Sequence, residues 1–166
     1  MDELTQLAQQ VGALLQSRAL MLASAESCTG GWVGEALTAI AGSSQWFDRG
    51  FITYSNEAKQ EMLGVSADTL AAFGAVSEPT VREMAAGALK YSRAHITLAI
   101  SGIAGPGGAT PGKPVGMVCI AWIVRDGPRR AQTFYFSGDR REVRRQAVVA
   151  ALRGVLGIIE SAVVTA

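Results

Sequence analysis

The chain has 166 residues, 49% of them hydrophobic and 17% charged, with a formal net charge of +1. That length fits one domain with one core, residues 1–166, and the composition argues against disorder. A balance of 15 basic against 14 acidic side chains builds in no general attraction to nucleic acid or to a membrane surface.

No apolar run approaches the roughly 20 residues of a membrane span. The first segment carries Asp2 and Glu3 and is amphipathic, unlike a secretory leader, so a cytoplasmic location is expected. Cys28 and Cys119 form no CxxC, and His95 is the only histidine, which argues against a structural zinc site.

Residues 3–17 place Leu4, Leu7, Val11, Leu14 and Leu15 at helical spacing. Residues 18–24 read as a short buried strand, and residues 30–40 as a helix after the Ser27-Cys28-Thr29 turn. Residues 49–54 look like a second strand, and Ser55 caps a short helix through Leu63. Ser77-Glu78-Pro79 is a strong helix start, with that helix running to about Ser92. Residues 95–100 read as a third strand. Residues 101–114, with five glycines and three prolines, read as a loop. Residues 115–124 and 131–136 form a hairpin about Asp126-Gly127-Pro128. Asp139 with Glu142 resembles a capping box that opens a last helix to about Ile159. The alternation predicts a single-domain α/β fold, a three-layer α/β/α sandwich with a mixed, mostly parallel sheet. Sites in such sheets form where loops leave the strand ends. Three glycine-containing stretches sit there: residues 25–31, 101–108 and 137–138.

A serine nucleophile needs a base. His95 falls at the start of a strand, away from the loop at residue 101, which makes a Ser-His-Asp arrangement improbable. Three lysines remain: Lys59, Lys90 and Lys113. Lys90 and Lys113 look solvent-facing. Lys59 follows a strand end, and burial can lower a lysine pKa into the useful range.

Each candidate has a bland reading beside the chemical one. Ser27 in AESCTGG (residues 25–31) sits between strand and helix, where Gly30, Gly31 and the helix start could hold an oxyanion or a phosphate. Ser27 or Thr29 could equally be a helix cap. Cys28 is a competing nucleophile or a small buried residue. In TYSNEAK (residues 53–59), Tyr54 could orient Lys59 or shuttle a proton, or simply pack. SGIAGPGG (residues 101–108) could bring Ser101 and the amides of Gly102, Gly105 and Gly107 to an anion or a planar ring, or be only a crossover loop. It matches neither the Walker nor the dinucleotide pattern. Arg140, Arg141, Arg144 and Arg145 crowd a helix N-terminus, where cations oppose the dipole. Pairing with Asp139 and Glu142, subunit contact, or a substrate phosphate would each explain them. Arg141 and Arg145 stand as the phosphate candidates.

Taken in order, AESCTGG, IAGSSQWF (residues 40–47), TYSNEAK, GAVSEPT (residues 74–80), SGIAGPGG and FSGDRREVRRQA (residues 136–147) resemble the CinA C-terminal domain family over residues 4–157. The resemblance implies hydrolysis of the carboxamide of nicotinamide mononucleotide to nicotinic acid mononucleotide and ammonia. It also implies Ser27 as nucleophile, Lys59 as base and Tyr54 as assistant; that mechanism needs no metal or cofactor, and the sequence offers no obvious metal-ligand set. Together with exposed apolar strand edges it implies a homo-oligomer. A non-catalytic nucleotide-binding module and a pyrophosphatase are the competing readings. The scarcity of carboxylate clusters for Mg²⁺ weighs against the second.

Overall fold

The computed structural model describes the backbone of residues 1–165 and the side chains of residues 1–162. Five strands form one sheet: β1 (Leu22–Glu26), β2 (Phe47–Ile52), β3 (Ile96–Gly102), β4 (Met117–Val124) and β5 (Arg129–Tyr135). Their spatial order is β2-β1-β3-β4-β5. β1 pairs in parallel with both β2 and β3, whereas β4 runs antiparallel to β3 and to β5. All strands except β4 therefore point the same way. The predicted mixed sheet, mostly parallel in strand direction, is the one observed.

Six helices accompany the sheet: α1 (Glu3–Ser17), α2 (Trp32–Thr38), α3 (Asn56–Leu63), α4 (Ala67–Phe73), α5 (Glu78–Lys90) and α6 (Arg140–Thr165). Strand side chains alternate between two unequal faces. Leu98, Ile100, Ile120 and Trp122 point to one face, where α1, α2 and α6 bury Leu7, Val11, Leu37 and Leu152. Ala25, Ala99, Cys119 and Ala121 point to the other, where α5 lays down Met84, Ala85 and Ala88. Small strand residues on that face let α5 approach closely, and α3 and α4 pack against α5.

The predicted caps are in place. The Ala58 amide donates to Ser55 Oγ at 3.0 Å, Thr80 to Ser77 Oγ at 3.3 Å, and Glu142 to Asp139 Oδ1 at 2.9 Å. Boundaries shift where turns intervene. β1 starts at Leu22 because α1 ends in an Arg18-Ala19 turn with Ala19 at φ 53°. Helix α2 starts at Trp32, after Gly30 and Gly31 at φ 58° and 105°. Helix α4 has no counterpart in the sequence reading, since its two turns bury little beyond Leu70. Helix α6 runs past Ile159 because no helix breaker stops it.

Because four strands share a direction, the C-terminal ends of β1, β2, β3 and β5 meet at one edge. Ser27 leaves β1 there, Thr53 and Tyr54 leave β2, the glycine loop leaves β3, and α6 begins after β5.

The seat of α3 depends on Gly87 of α5. A β-carbon there would collide with the Leu63 carbonyl at the end of α3. Gly87→Ala should therefore lower stability by about 1–3 kcal/mol, read as a fall in Tm by circular dichroism. An unchanged Tm would mean that α3 can back away from α5.

Candidate active site

Helix α3 starts at the Ser55 cap and carries Lys59 in its first turn, directed back under the end of β1. The Lys59 side chain is 1% exposed. Its Nζ lies 3.1 Å from Ser27 Oγ, 3.0 Å from the Thr53 carbonyl and 3.3 Å from the Tyr54 carbonyl. Burial pushes the lysine pKa below its ordinary 10.5, because an ammonium loses its hydration there. None of its three hydrogen-bond partners is a carboxylate. In all three contacts Nζ donates to oxygen; loss of the proton would leave two N–H groups for the carbonyls and a lone pair facing the Ser27 hydroxyl.

Backbone pairing fixes the register of this pair. The Thr53 amide donates to the Glu26 carbonyl at 2.9 Å, continuing the β1–β2 ladder. Ser27 follows Glu26 directly, and its own amide donates to Ile100 O at 3.0 Å. Neither Ser27 nor Thr29 caps α2. The carboxylate of Glu26 does so, accepting from the amides of Gly31 at 3.2 Å, Val33 at 2.9 Å and Gly34 at 3.2 Å. Those α2 amides are thus committed to the protein's own carboxylate. The Cys28 and Thr29 amides donate to no backbone acceptor among the described residues. Cys28 is buried, and burial raises its thiol pKa to about 11, which disfavours the thiolate a nucleophile needs. His95 lies at the opposite end of β3, where its Nδ1 accepts from the Met21 amide at 2.9 Å.

A cavity of about 300 Å³ opens over the pair. Ser27, Lys59 and Tyr54 line it with Ser101, Gly102, Gly105 and Gly107 of the glycine loop. A β-carbon at Gly102 would come within 2.6 Å of Val118 Cγ2. The amides of Ala104, Gly105, Gly107 and Gly108 donate to no protein acceptor among the described residues. Tyr54 turns its phenol to the rim, 63% exposed, where it accepts from Arg140 Nη2 at 3.2 Å. Arg140 also donates to the Gly105 carbonyl at 2.9 Å and so spans the mouth.

The remaining sequence candidates lie off this cavity. Thr29 is buried and its hydroxyl finds no partner among the described residues; Gly30 and Gly31 shape the turn beneath. Arg141 lies over the Trp32 ring at 4.8 Å and lines a second cavity of about 620 Å³, which shares Ala104, Gly105 and Arg140 with the first. Arg145 pairs with Glu3 at 3.2 Å and with Glu142 at 3.6 Å. Arg144 donates to the carbonyls of Cys28 at 3.0 Å and Thr29 at 3.3 Å. Sequence reasoning gave Arg140 and Glu26 no particular role. The position of Glu26 directly before the candidate nucleophile and seven residues before an apolar helix position was the available signal.

Comparison with known proteins gives one consistent picture. The model of the CinA C-terminal domain matches residues 4–159. Nicotinamide-nucleotide amidohydrolase PncC of Escherichia coli K12 is 56% identical over 152 residues, 92% of each chain. The protein of the same name from Pseudomonas putida is 46% identical over 157 residues, 94% of this chain and 97% of its own. The crystal structure of the competence/damage inducible protein CihA from Agrobacterium tumefaciens superposes with a TM-score of 0.92 at 45% identity, covering 95% of this chain and 96% of that one.

The buried amine has a signature that needs no substrate. Between the lowered pKa of Lys59 and 10.5 the unfolded chain binds the extra proton, so wild-type stability rises with pH in that window. Lys59→Met lacks this contribution. The Tm of wild type minus that of Lys59→Met should therefore grow from pH 6 towards pH 10. A difference flat over that range would show that Lys59 titrates as an ordinary surface lysine.

Proposed function

The chain belongs to the CinA C-terminal domain family, and from that premise we propose that it is a nicotinamide-nucleotide amidohydrolase that uses Ser27 as nucleophile and Lys59 as base. The observation that carries the mechanism is the 3.1 Å contact between Ser27 Oγ and a buried Lys59 Nζ that no carboxylate accompanies. A module that only binds nucleotides would gain nothing from burying that amine.

Neutral Lys59 takes the Ser27 proton on its lone pair while its two N–H groups stay on the Thr53 and Tyr54 carbonyls. Ser27 Oγ attacks the carboxamide carbon. The free amides of Cys28, Thr29 and the glycine loop supply donors for the oxyanion. As the tetrahedral intermediate collapses, the Lys59 ammonium gives its proton to the departing nitrogen, and ammonia leaves an acyl-serine. Water, deprotonated by Lys59, then attacks the acyl carbon, releasing the carboxylate and restoring Ser27. The chain's own residues carry every proton.

The two adjoining cavities suit the substrate's two ends. The nicotinamide carboxamide reaches Ser27 in the inner one, and the phosphate lies towards Arg140 at the shared wall and Arg141 in the outer cavity. Tyr54 contributes its carbonyl to Lys59 and its phenol to the rim.

Ammonia release from nicotinamide mononucleotide tests this reading. Ser27→Ala should lose about a thousandfold or more in kcat, whereas Cys28→Ser should stay within about tenfold of wild type. The reverse pattern would move the nucleophile to Cys28. EDTA should leave the rate unchanged, and a loss restored by a divalent ion would overturn the metal-free route. The pH profile of kcat/KM should rise through the lowered Lys59 pKa of the free enzyme.

A further inference from the structure

We propose that Glu26 and Arg144 are positioning residues that grip the Ser27 turn, one through the amides of Gly31 and the start of α2 where the turn ends, the other through the turn's carbonyls, and so hold Ser27 Oγ on Lys59 Nζ. Neither side chain lines the cavity, so neither is placed to touch a substrate. The inference rests on Ser27 being the nucleophile.

The turn itself has little stiffness. Gly30 and Gly31 at φ 58° and 105° populate many backbone conformations equally well. Held only by its flanks, such a turn would let Ser27 wander, and a misplacement of about 1 Å can cost a hundredfold in rate.

Glu26 removes that freedom on one side. Its side chain is 1% exposed, and among the described residues no lysine or arginine forms an ion pair with it. A carboxylate so buried is costly unless hydrogen bonds replace its water. Three backbone amides do so, with Gly31 and Val33 on Oε1 and Gly34 on Oε2. An ordinary cap needs only a serine, threonine, asparagine or aspartate at the helix start. Here the cap is the residue that precedes the nucleophile, so capping the helix also folds the turn back onto β1.

Arg144 acts from α6, more than a hundred residues away in sequence. Its guanidinium donates through Nε to Cys28 O at 3.0 Å and through Nη2 to Thr29 O at 3.3 Å. It also rests over the Trp32 ring at 5.4 Å. Two donors set in one plane span two successive carbonyls, which the point charge of a lysine cannot do. Hydrogen bonds then close a ring: Glu26 O takes the Thr53 amide, Thr53 O takes Lys59 Nζ, and Lys59 meets Ser27.

The test uses the full chain carrying Glu26→Gln or Arg144→Lys, assayed well below each variant's melting transition. Two quantities are read: kcat and KM for ammonia release from nicotinamide mononucleotide, and the rate at which a fluorophosphonate acylates Ser27, followed by mass spectrometry. In each variant, kcat and the labelling rate should fall together by about tenfold to a hundredfold, with KM within about twofold of wild type. Combining the two substitutions should cost less than the product of the separate losses, because both act on one turn. Folded variants that keep wild-type kcat and labelling and lose only Tm would reduce both residues to helix capping and overturn the proposal. If Glu26→Gln does not fold, Arg144→Lys, altered at a half-buried position, decides alone. Wild-type protein that is labelled at Ser27 but releases no ammonia would refute the substrate, with the labelling rates still deciding the grip. Absence of both would overturn the nucleophile and the grip together.

Discussion

An amine held at 1% exposure, surrounded by two carbonyls and a hydroxyl and given no carboxylate, is pressed towards its neutral form. Adding an acidic partner would relieve the desolvation but would also fix the proton on nitrogen. The carboxylate of Glu26, one residue before Ser27, instead faces the amides of α2. Much of the surrounding structure serves that separation. The β1–β2 ladder sets the height of Thr53 against Glu26, the Ser55 cap starts α3 where Lys59 can turn inward, and Gly87 lets α5 press α3 onto the sheet.

The sheet supplies the remaining parts by direction alone. With β4 the only reversed strand, the chain leaves β1, β2, β3 and β5 at the same edge and delivers a different component each time. These are a hydroxyl, an amine with its carbonyl seats, a glycine loop, and a helix rich in arginine. The reversed strand gives the glycine loop its return path, anchored where the Ile103 amide meets the Met117 carbonyl at 2.9 Å.

Much of this was legible in the sequence, for reasons particular to each part. Caps at Ser55, Ser77 and Asp139 are local chemistry, so they fix helix starts wherever the rest of the chain goes. Residues 95–100 and the two arms about Asp126-Gly127-Pro128 read as strands because short apolar runs bounded by turn residues are local signals as well. Ser27, Tyr54, Lys59 and the glycine loop were identified as candidates, and they line one cavity. What could not be read was the assignment of partners across long separations. Four arginines within six residues look interchangeable on paper. Only the packing of α6 turns Arg144 to backbone carbonyls, Arg145 to Glu3 and Arg140 to the mouth of the cavity. Likewise, nothing local distinguishes Glu26 from any acidic residue at a strand end, since its three donors exist only once α2 has folded over it. Helix α4 was missed because its few buried residues give no periodic signal.

The place of α6 in the larger core bears on how the protein is made. Val143, Ala147, Val148, Leu152, Val155 and Ile158 belong to the same cluster as Leu98 and Trp122. A chain emerging from the ribosome therefore exposes Ser27 and Lys59 early, while one face of its sheet stays uncovered and the nucleophile turn lacks its guanidinium. The arrival of α6 closes the core and completes the reactive corner in one event. A prematurely terminated chain would thus carry both reacting side chains without the element that covers the sheet behind them.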